Sequence, residues 1–392
     1  MSVQDELNAW CDYPQVSLSH SADGPLAGMT LAVKDIYQVE GYPTGWGTPA
    51  RVAEAEVETE TQSAVQALCD AGAKIMGKSI CDELCFSLNG VNKHYGTPVN
   101  GAAPERIPGG SSSGSASLVS NGRVDIAIGS DTGGSVRAPA SYCGLIGLRP
   151  THGRISMDRT KELAPSLDCF GWFAKDAETY ARVGSVLLGD DTATAPLKRL
   201  LGSPDLDSML LGDDDYIAFQ KAAERVEDLF DDERDFTSIP FDLDEAYWTF
   251  RHVQAYEANQ ALGEWVATRN PDLAPAIADR IAFGRTVSRQ DYEGGCDRRA
   301  VISAALDNLL GKVGLLVFPT VPSCAPLKSE SESTLQAFRD QALKLLCLSG
   351  LSGLPQISLP LGQVHGAPLG VSLMGPRGSD RQLIDIAVRL GL

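Results

Sequence analysis

The sequence contains few histidines for its length. There are five in 392 residues, at His20, His94, His152, His252 and His365. None of them stands in a recognisable motif, and histidine is the usual base that activates a nucleophilic hydroxyl. If the chain uses a serine nucleophile, we therefore expect the base to be a lysine, which burial can hold in its neutral form.

Positive charge is also scarce, and long apolar runs are absent. The sequence has 33 Lys and Arg residues against 51 Asp and Glu residues, which gives a net charge of −18. Such a charge repels nucleic acid and anionic membranes, so we expect neither as a partner. No stretch approaches the ~18 consecutive apolar residues that a membrane-spanning helix requires.

Paired cysteine motifs are missing as well. The nine cysteines are scattered, odd in number and without a CxxC pair. Cys81 and Cys85 would lie one helical turn apart, but a metal site would need two further ligands and only His94 is close. We therefore predict no metal site, reduced thiols and a cytoplasmic protein.

What the sequence does contain is an alternation of strand-like and helix-like segments. Apolar strands are predicted at 28–34, 73–79, 125–131 and 144–151, and helices at 61–72 and 111–121. Helical patterns then dominate 176–189 and much of 213–310, and strand character returns at 314–320 and 354–362. This alternation predicts an α/β fold.

Two serine-rich stretches lie close together in the middle of the chain. In SDTGGSVR, residues 130–137, two glycines come directly before Ser135. Acyl chemistry needs backbone N–H donors that converge on the developing oxyanion, and consecutive glycines permit the unusual dihedral angles this requires. The turn either supplies such donors around an attacking serine or merely connects a strand to a helix, and the residues alone leave both readings open.

The upstream stretch, GGSSSGS at 109–115, contains the pattern GxSxG around Ser112. In α/β-hydrolases this nucleophile elbow follows a hydrophobic strand. Here it follows AAPERIPG, whose prolines exclude a central strand. A phosphate-binding loop is also excluded, because the Lys-Ser/Thr pair is missing.

Lys34 is the best placed candidate base. It follows the apolar residues LAV, so its side chain should start inside the fold. The alternative is a lysine at a strand end whose ammonium group reaches solvent and pairs with Asp35.

From Gly109 to Thr151 the sequence resembles the signature of the amidase signature family, GGSSSGSASLVSNGRVDIAIGSDTGGSVRAPASYCGLIGLRPT. Further matches are LAVKDIYQVEG, KSICDELCFS, SLDCFGWFAKD, FPTVPSCAP and GAPLGVSLMGP, so the likeness covers nearly the whole chain. The resemblance implies the amidase-signature fold, an α/β architecture with a large, mixed, twisted sheet flanked by helices on both faces. It also implies a single amidase domain over 1–392, with a signature core at about 60–185 and a peripheral helical layer at about 190–310.

The resemblance further implies a catalytic triad. Ser135 would be the nucleophile, Lys34 the general base, and Ser111, preceded by a cis peptide bond, the bridge between them. The N–H groups of Thr132, Gly133, Gly134 and Ser135 would form the oxyanion hole.

Other positions receive lesser roles from the same resemblance. Asp131 and Arg137 would brace the turn, and Cys85 would contact the substrate in the acyl pocket. Ser113 stands where many members of the family have glycine.

The sequence thus predicts an amidase that hydrolyses the C–N bond of a small carboxamide to acid and ammonia through a seryl acyl-enzyme, without a cofactor. An aryl or indole acetamide is the leading substrate, and Trp46, Trp172 and Phe170 are either core residues or stacking residues of its pocket. Two alternatives remain. The first is an A-type amidotransferase component that works on aminoacyl-tRNA, but the negative net charge and the shorter chain argue against it. The second is an esterase that uses Ser112 and a histidine. A homodimer is compatible with the sequence.

Overall fold

The computed structural model describes residues 5–392, so the first four residues of the predicted domain lie outside the described range. Its architecture is built on a single mixed sheet. The ten strands within that range are β1 Thr30–Lys34, β2 Lys74–Ser79, β3 Ile126–Asp131, β4 Ile146–Arg149, β5 Cys169–Ala174, β6 Arg199–Gly202, β7 Asp235–Phe236, β8 Gly314–Pro319, β9 Gln356–Val364 and β10 Ala367–Met374. Their order across the sheet is β2-β1-β3-β5-β4-β9-β10-β8-β6-β7. The pairs at both ends of the sheet are parallel, and the central pairs from β3 to β8 are antiparallel.

Helices connect these strands. In the described part of the chain they are α1 Pro49–Val52, α2 Ser63–Asp70, α3 Ser113–Ser120, α4 Arg137–Cys143, α5 Ala177–Leu187, α6 Pro204–Asp207, α7 Asp213–Glu227, α8 Leu243–Arg269, α9 Pro275–Thr286, α10 Arg289–Leu310, α11 Glu332–Ser352 and α12 Asp380–Arg389. A short 3-10 turn spans Glu83–Cys85.

Both faces of the sheet are covered. Successive side chains of a strand point to opposite faces. On β1, Leu31 and Val33 belong to the larger hydrophobic core, whereas Ala32 belongs to a second cluster that contains residues of α3 and α4. Every residue of β3 is buried, as expected for a strand with apolar layers on both sides.

The long helices of the second half have well-defined ends. The side chain of Asp242 accepts a hydrogen bond from the Glu245 N–H at the start of α8, and Ser288 forms a capping box with Asp291 at the start of α10. Helix α11 ends at Gly353, whose φ of 71° is the left-handed conformation that glycine adopts at low cost.

The α/β class predicted from the sequence is confirmed, and each strand or helix range given above as predicted overlaps an observed element. The predicted helical layer at about 190–310 is helical in its larger part, but it also contributes β6 and β7 to one edge of the sheet. The strands β5 and β10 were missed as well. Their sequences, CFGWFA and APLGVSLM, contain glycine or proline and lack polar–apolar alternation.

Candidate active site

Lys34, the last residue of β1, is completely buried. Its Nζ lies 2.8 Å from Ser111 Oγ, 2.8 Å from Ser130 Oγ and 3.1 Å from Ser112 Oγ. The alternative pairing with Asp35 does not form, because Asp35 Oδ1 lies 2.8 Å from the Nζ of Lys78 instead. Lys34 therefore has hydroxyl neighbours and, within residues 5–392, no ion pair with a carboxylate.

The three hydroxyls around Lys34 are not equivalent. Ser112 Oγ donates to the carbonyl of Ser130 at 3.3 Å and accepts from the Ser130 N–H at 3.2 Å, so its proton is already directed at the backbone. The Ser112 side chain makes no capping hydrogen bond at the start of α3, although it precedes that helix. Ser111 follows a cis peptide bond from Gly110. Within the described chain its hydroxyl makes no such backbone hydrogen bond, and it is therefore free to exchange a proton with Lys34.

Ser135 lies in the turn between β3 and α4. The turn is held by Asp131, whose carboxylate accepts hydrogen bonds from the N–H groups of Gly134 at 2.9 Å and Val136 at 3.1 Å. Gly134 has a φ of 116°, and a Cβ there would lie 2.5 Å from Leu346 Cδ1. Glycine is thus required at this position by conformation and by space. The Gly134 N–H donates to Asp131. The N–H groups of Thr132, Gly133 and Ser135 have no hydrogen-bond partner in the described chain.

Asp131 and Arg137 form a buried ionic brace. Both side chains are completely buried, with Arg137 Nη2 2.7 Å from Asp131 Oδ1 and Arg137 Nε 3.0 Å from Oδ2. Arg149 adds a second guanidinium 3.4 Å from Oδ1. Burial alone would raise the pKa of Asp131, but the charges and hydrogen bonds of the two arginines outweigh it and hold the pKa well below its usual range. The carboxylate therefore stays ionised and keeps the turn in place.

A second carboxylate holds Thr132. Asp168 Oδ1 accepts a hydrogen bond from Thr132 Oγ1 at 2.6 Å, and Oδ2 accepts from the N–H groups of Leu163 and Ala164 at 2.9 and 3.1 Å. Burial raises the pKa of Asp168 from 3.8 to about 6 despite these hydrogen bonds. The sequence analysis did not identify this residue, because a single aspartate in SLDCFGWFAKD has no motif of its own.

Ser135 faces a small cavity of about 10 Å³, which is room for about one water molecule. The cavity is lined by Cys85, Phe86, Ser87, Leu88, Thr132, Gly133, Ser135, Gln254, Arg339 and Leu343. Three residues named from the sequence as oxyanion or substrate contacts, Cys85, Thr132 and Gly133, are thus brought together with Ser135. Gln254 and Arg339 were missed because they lie on α8 and α11, outside the sequence motifs, and each is an isolated polar residue in a helical pattern.

The aromatic residues considered for an acyl pocket do not line this cavity. Phe170 and Trp172 lie on β5 and are completely buried in the core, and Trp46 is buried in the same cluster. These three residues therefore belong to the hydrophobic core and not to a substrate pocket. Phe86 is the only aromatic side chain in the cavity wall that the structure describes.

The histidines lie elsewhere. His94 pairs with Glu83 at 2.7 Å, His152 lies 3.5 Å from the Cys169 sulfur, and His252 packs against Trp248. Within residues 5–392 no histidine is hydrogen-bonded to a serine hydroxyl, and no group of three or more His, Cys, Asp and Glu side chains is placed to hold a metal ion. Nor does any helix of that range combine the length and apolar character needed to cross a membrane.

Comparison with known proteins agrees with this geometry. The family model described as Amidase matches residues 7–214 and 218–384. The chain is 38% identical to "Amidase 1" of Oryza sativa subsp. japonica, over 93% of this chain and 90% of the relative. It is 31% identical to a glutamyl-tRNA(Gln) amidotransferase chain of Halobacterium salinarum, over 97% of this chain and 98% of the relative. Among solved structures, a "Crystal structure of amidase" superposes with a TM-score of 0.82 at 28% identity, over 93% of this chain and 84% of that one.

The chain belongs to the amidase family of amidohydrolases. The resemblance inferred from the signature motif and the amidase-signature fold are both confirmed.

Proposed function

We propose that this amidase hydrolyses the C–N bond of a small carboxamide through an acyl-enzyme on Ser135, with Lys34 as the base and Ser111 as the relay. The observation that supports this most strongly is the environment of Lys34, a buried amine 2.8 Å from Ser111 Oγ without a carboxylate partner in the described chain. In this proposal Lys34 has the neutral amine form, whose lone pair can receive a proton.

In the proposed first step, Lys34 Nζ takes the proton of Ser111, and Ser111 takes that of Ser135 as Ser135 Oγ attacks the carbonyl carbon. The described structure contains the Lys34–Ser111 hydrogen bond but none from Ser111 to Ser135. The relay therefore requires the Ser135 hydroxyl to turn toward Ser111 when substrate binds, and catalytic hydrogen bonds commonly tighten at that stage.

The N–H groups of Gly133 and Ser135, with that of Thr132, are proposed to stabilise the oxyanion. Gly134 serves through its conformation, since its N–H donates to Asp131. The proton held by Lys34 returns through Ser111 to the leaving nitrogen, which departs as ammonia. Water then attacks the acyl carbon by the same route, releasing the acid and restoring Ser135.

The test is the rate of ammonia release by Lys34→Ala. We expect kcat to fall by about 10²- to 10⁴-fold, the usual contribution of general acid–base catalysis. His252→Ala and His365→Ala are the controls and should remain near wild type. Labelling of Ser135 by an organofluorophosphonate should be lost in the Lys34 variant. A loss of activity in a histidine variant with Lys34→Ala unaffected would overturn the proposal.

The amidotransferase alternative rests on the relative from Halobacterium salinarum, and we propose that this chain differs from it in functioning alone. The net charge of −18 disfavours tRNA as a partner. Hydrolysis of a free amide without ATP or a second protein would decide in favour of an independent amidase. The esterase alternative is disfavoured because the Ser112 proton is directed at the backbone and no histidine in the described chain reaches it.

We also propose a cytoplasmic location and a protein without nucleic-acid or membrane partners. The scattered cysteines and the acidic surface are the grounds for both. A homodimer remains compatible with these observations.

A further inference from the structure

The wall of the cavity in front of Ser135 includes a buried guanidinium group that has few hydrogen-bond partners and a weakly placed counter-ion. Arg339, on α11, is only 3% exposed. Its Nε has no hydrogen-bond partner in the described chain, and Nη1 makes one long contact, 3.4 Å from Asp340 Oδ1. A guanidinium group has five N–H donors and stays charged inside proteins, so most of this hydrogen-bonding capacity is unused.

The carboxylate of Asp340 is shared among several groups. The same Oδ1 accepts hydrogen bonds from Tyr247 Oη and Gln336 Nε2, each at 2.8 Å, and it lies 3.6 Å from Arg251 Nη1. The hydrogen bonds from Tyr247 and Gln336 are shorter than the 3.4 Å contact between Asp340 and Arg339. Asp340 is also partly exposed to solvent, which weakens its attraction for Arg339.

Two further arginines add positive charge around this site. Burial, together with the charges of Arg280 and Arg251, lowers the pKa of Arg339 well below its ordinary value. A buried charge without a matched partner is costly, and proteins tolerate it where a ligand supplies the opposite charge.

Gln254 provides a second unused polar group in the same wall. It lies on α8, is 5% exposed, and its Oε1 has no hydrogen-bond partner among the described residues. Both Gln254 and Arg339 line the cavity that contains Ser135. The cavity thus offers a cation and a side-chain amide to whatever binds at the nucleophile.

From this arrangement we propose that the substrate is a small primary carboxamide whose acyl part carries a carboxylate, such as the monoamide of a short dicarboxylic acid. This inference rests on the proposed function of Ser135. The carboxylate pairs with Arg339, and Gln254 Oε1 accepts a hydrogen bond from the carboxamide N–H. Because the leaving group of a primary amide is only ammonia, every other group of the substrate belongs to the acyl part. The cavity is small, which favours a short chain in that part.

Binding is tested without turnover in Ser135→Ala, by calorimetry with the monoamide of succinic acid and with pentanamide, a neutral amide of similar length. We expect the anionic amide to bind at least about 10-fold more tightly, since hydrogen bonds to charged groups contribute that much or more. Equal binding, or tighter binding of pentanamide or of indole-3-acetamide, would overturn the proposal. This readout does not depend on catalysis, so it separates the substrate proposal from the triad proposal.

The role of Arg339 is tested by the ratio of kcat/KM for the anionic amide to that for pentanamide. In Arg339→Met we expect this ratio to fall by about 10- to 100-fold, mainly through a higher KM for the anionic amide. Arg285→Met removes an exposed arginine and the same unit of charge, and it should leave the ratio unchanged. If Arg339→Met does not fold, Arg339→Gln provides the second variant, with a fall of the same size expected. An unchanged ratio in the folded variant means that Arg339 is structural and that the proposal is wrong.

Discussion

Asp168 offers a quantitative test of how burial acts on the site. Its pKa is raised from 3.8 to about 6 in the folded protein, chiefly because the carboxylate is buried. A group whose pKa is raised on folding favours the folded state when it is protonated. Its stabilising contribution is complete below pH ~4 and is lost as the pH rises through the folded pKa of about 6. The shift corresponds to about 3 kcal/mol in the free energy of unfolding.

The perturbation is Asp168→Asn, which replaces the carboxylate by a neutral group of the same shape. Its carbonyl oxygen can still accept from the N–H groups of Leu163 and Ala164, and its amide can donate to the Thr132 hydroxyl. The stability of wild type relative to this variant should therefore decrease by about 3 kcal/mol between pH 4 and pH 7. Urea unfolding at unit pH intervals measures this difference.

Asp291→Asn is the control, and we expect its stability relative to wild type to change with pH in the opposite direction. The hydrogen bonds from Ser288 lower the pKa of this exposed carboxylate, so wild type should gain stability over that variant as the pH rises. A wild-type–Asp168→Asn difference that stays constant from pH 4 to pH 7 would refute the assignment of a costly buried charge to Asp168.

Two further predictions concern the turn that carries Ser135. Gly134→Ala should lower kcat by about 10²-fold or more, since the added Cβ meets Leu346 and displaces the proposed oxyanion donors. The control is Gly122→Ala, at a positive φ with open space around it, which should not lower kcat. Equal losses of kcat in both variants would contradict this reasoning. Asp131→Asn leaves two buried guanidinium groups without their counter-ion and should reduce the free energy of unfolding by about 3–5 kcal/mol in urea titrations. A loss below ~1 kcal/mol, typical of a surface ion pair, would contradict the buried brace.

The parts of the fold that follow from local pattern could be predicted from the sequence. Strand β1 and helix α5 show the apolar spacing of their class, and both lie close to their predicted ranges. Strands β6 and β7 could not be predicted in this way. They are four and two residues long, and they are strands because they pair with β8 and with each other at the edge of the sheet.

The site shows the same division between motif and tertiary structure. Residues within the motif, such as Lys34 and Ser111, could be named from the sequence, and the structure places them in contact. The hydrogen bond from Gly134 to Asp131 depends on the exact path of the turn and was not foreseen. Gln254 and Arg339 come from helices distant in sequence, and only the packing of α8 and α11 brings them to Ser135.

The two helices that provide those cavity residues also pack against the turn that carries Ser135. A Cβ at Gly133 would lie 2.6 Å from Phe250 of α8, and one at Gly134 would lie 2.5 Å from Leu346 of α11. If Ser135 is the nucleophile and Arg339 selects the substrate, as proposed, then α8 and α11 support both turnover and substrate choice. Grafting either helix from another amidase to change selectivity should then also displace Ser135, unless Phe250 and Leu346 are retained.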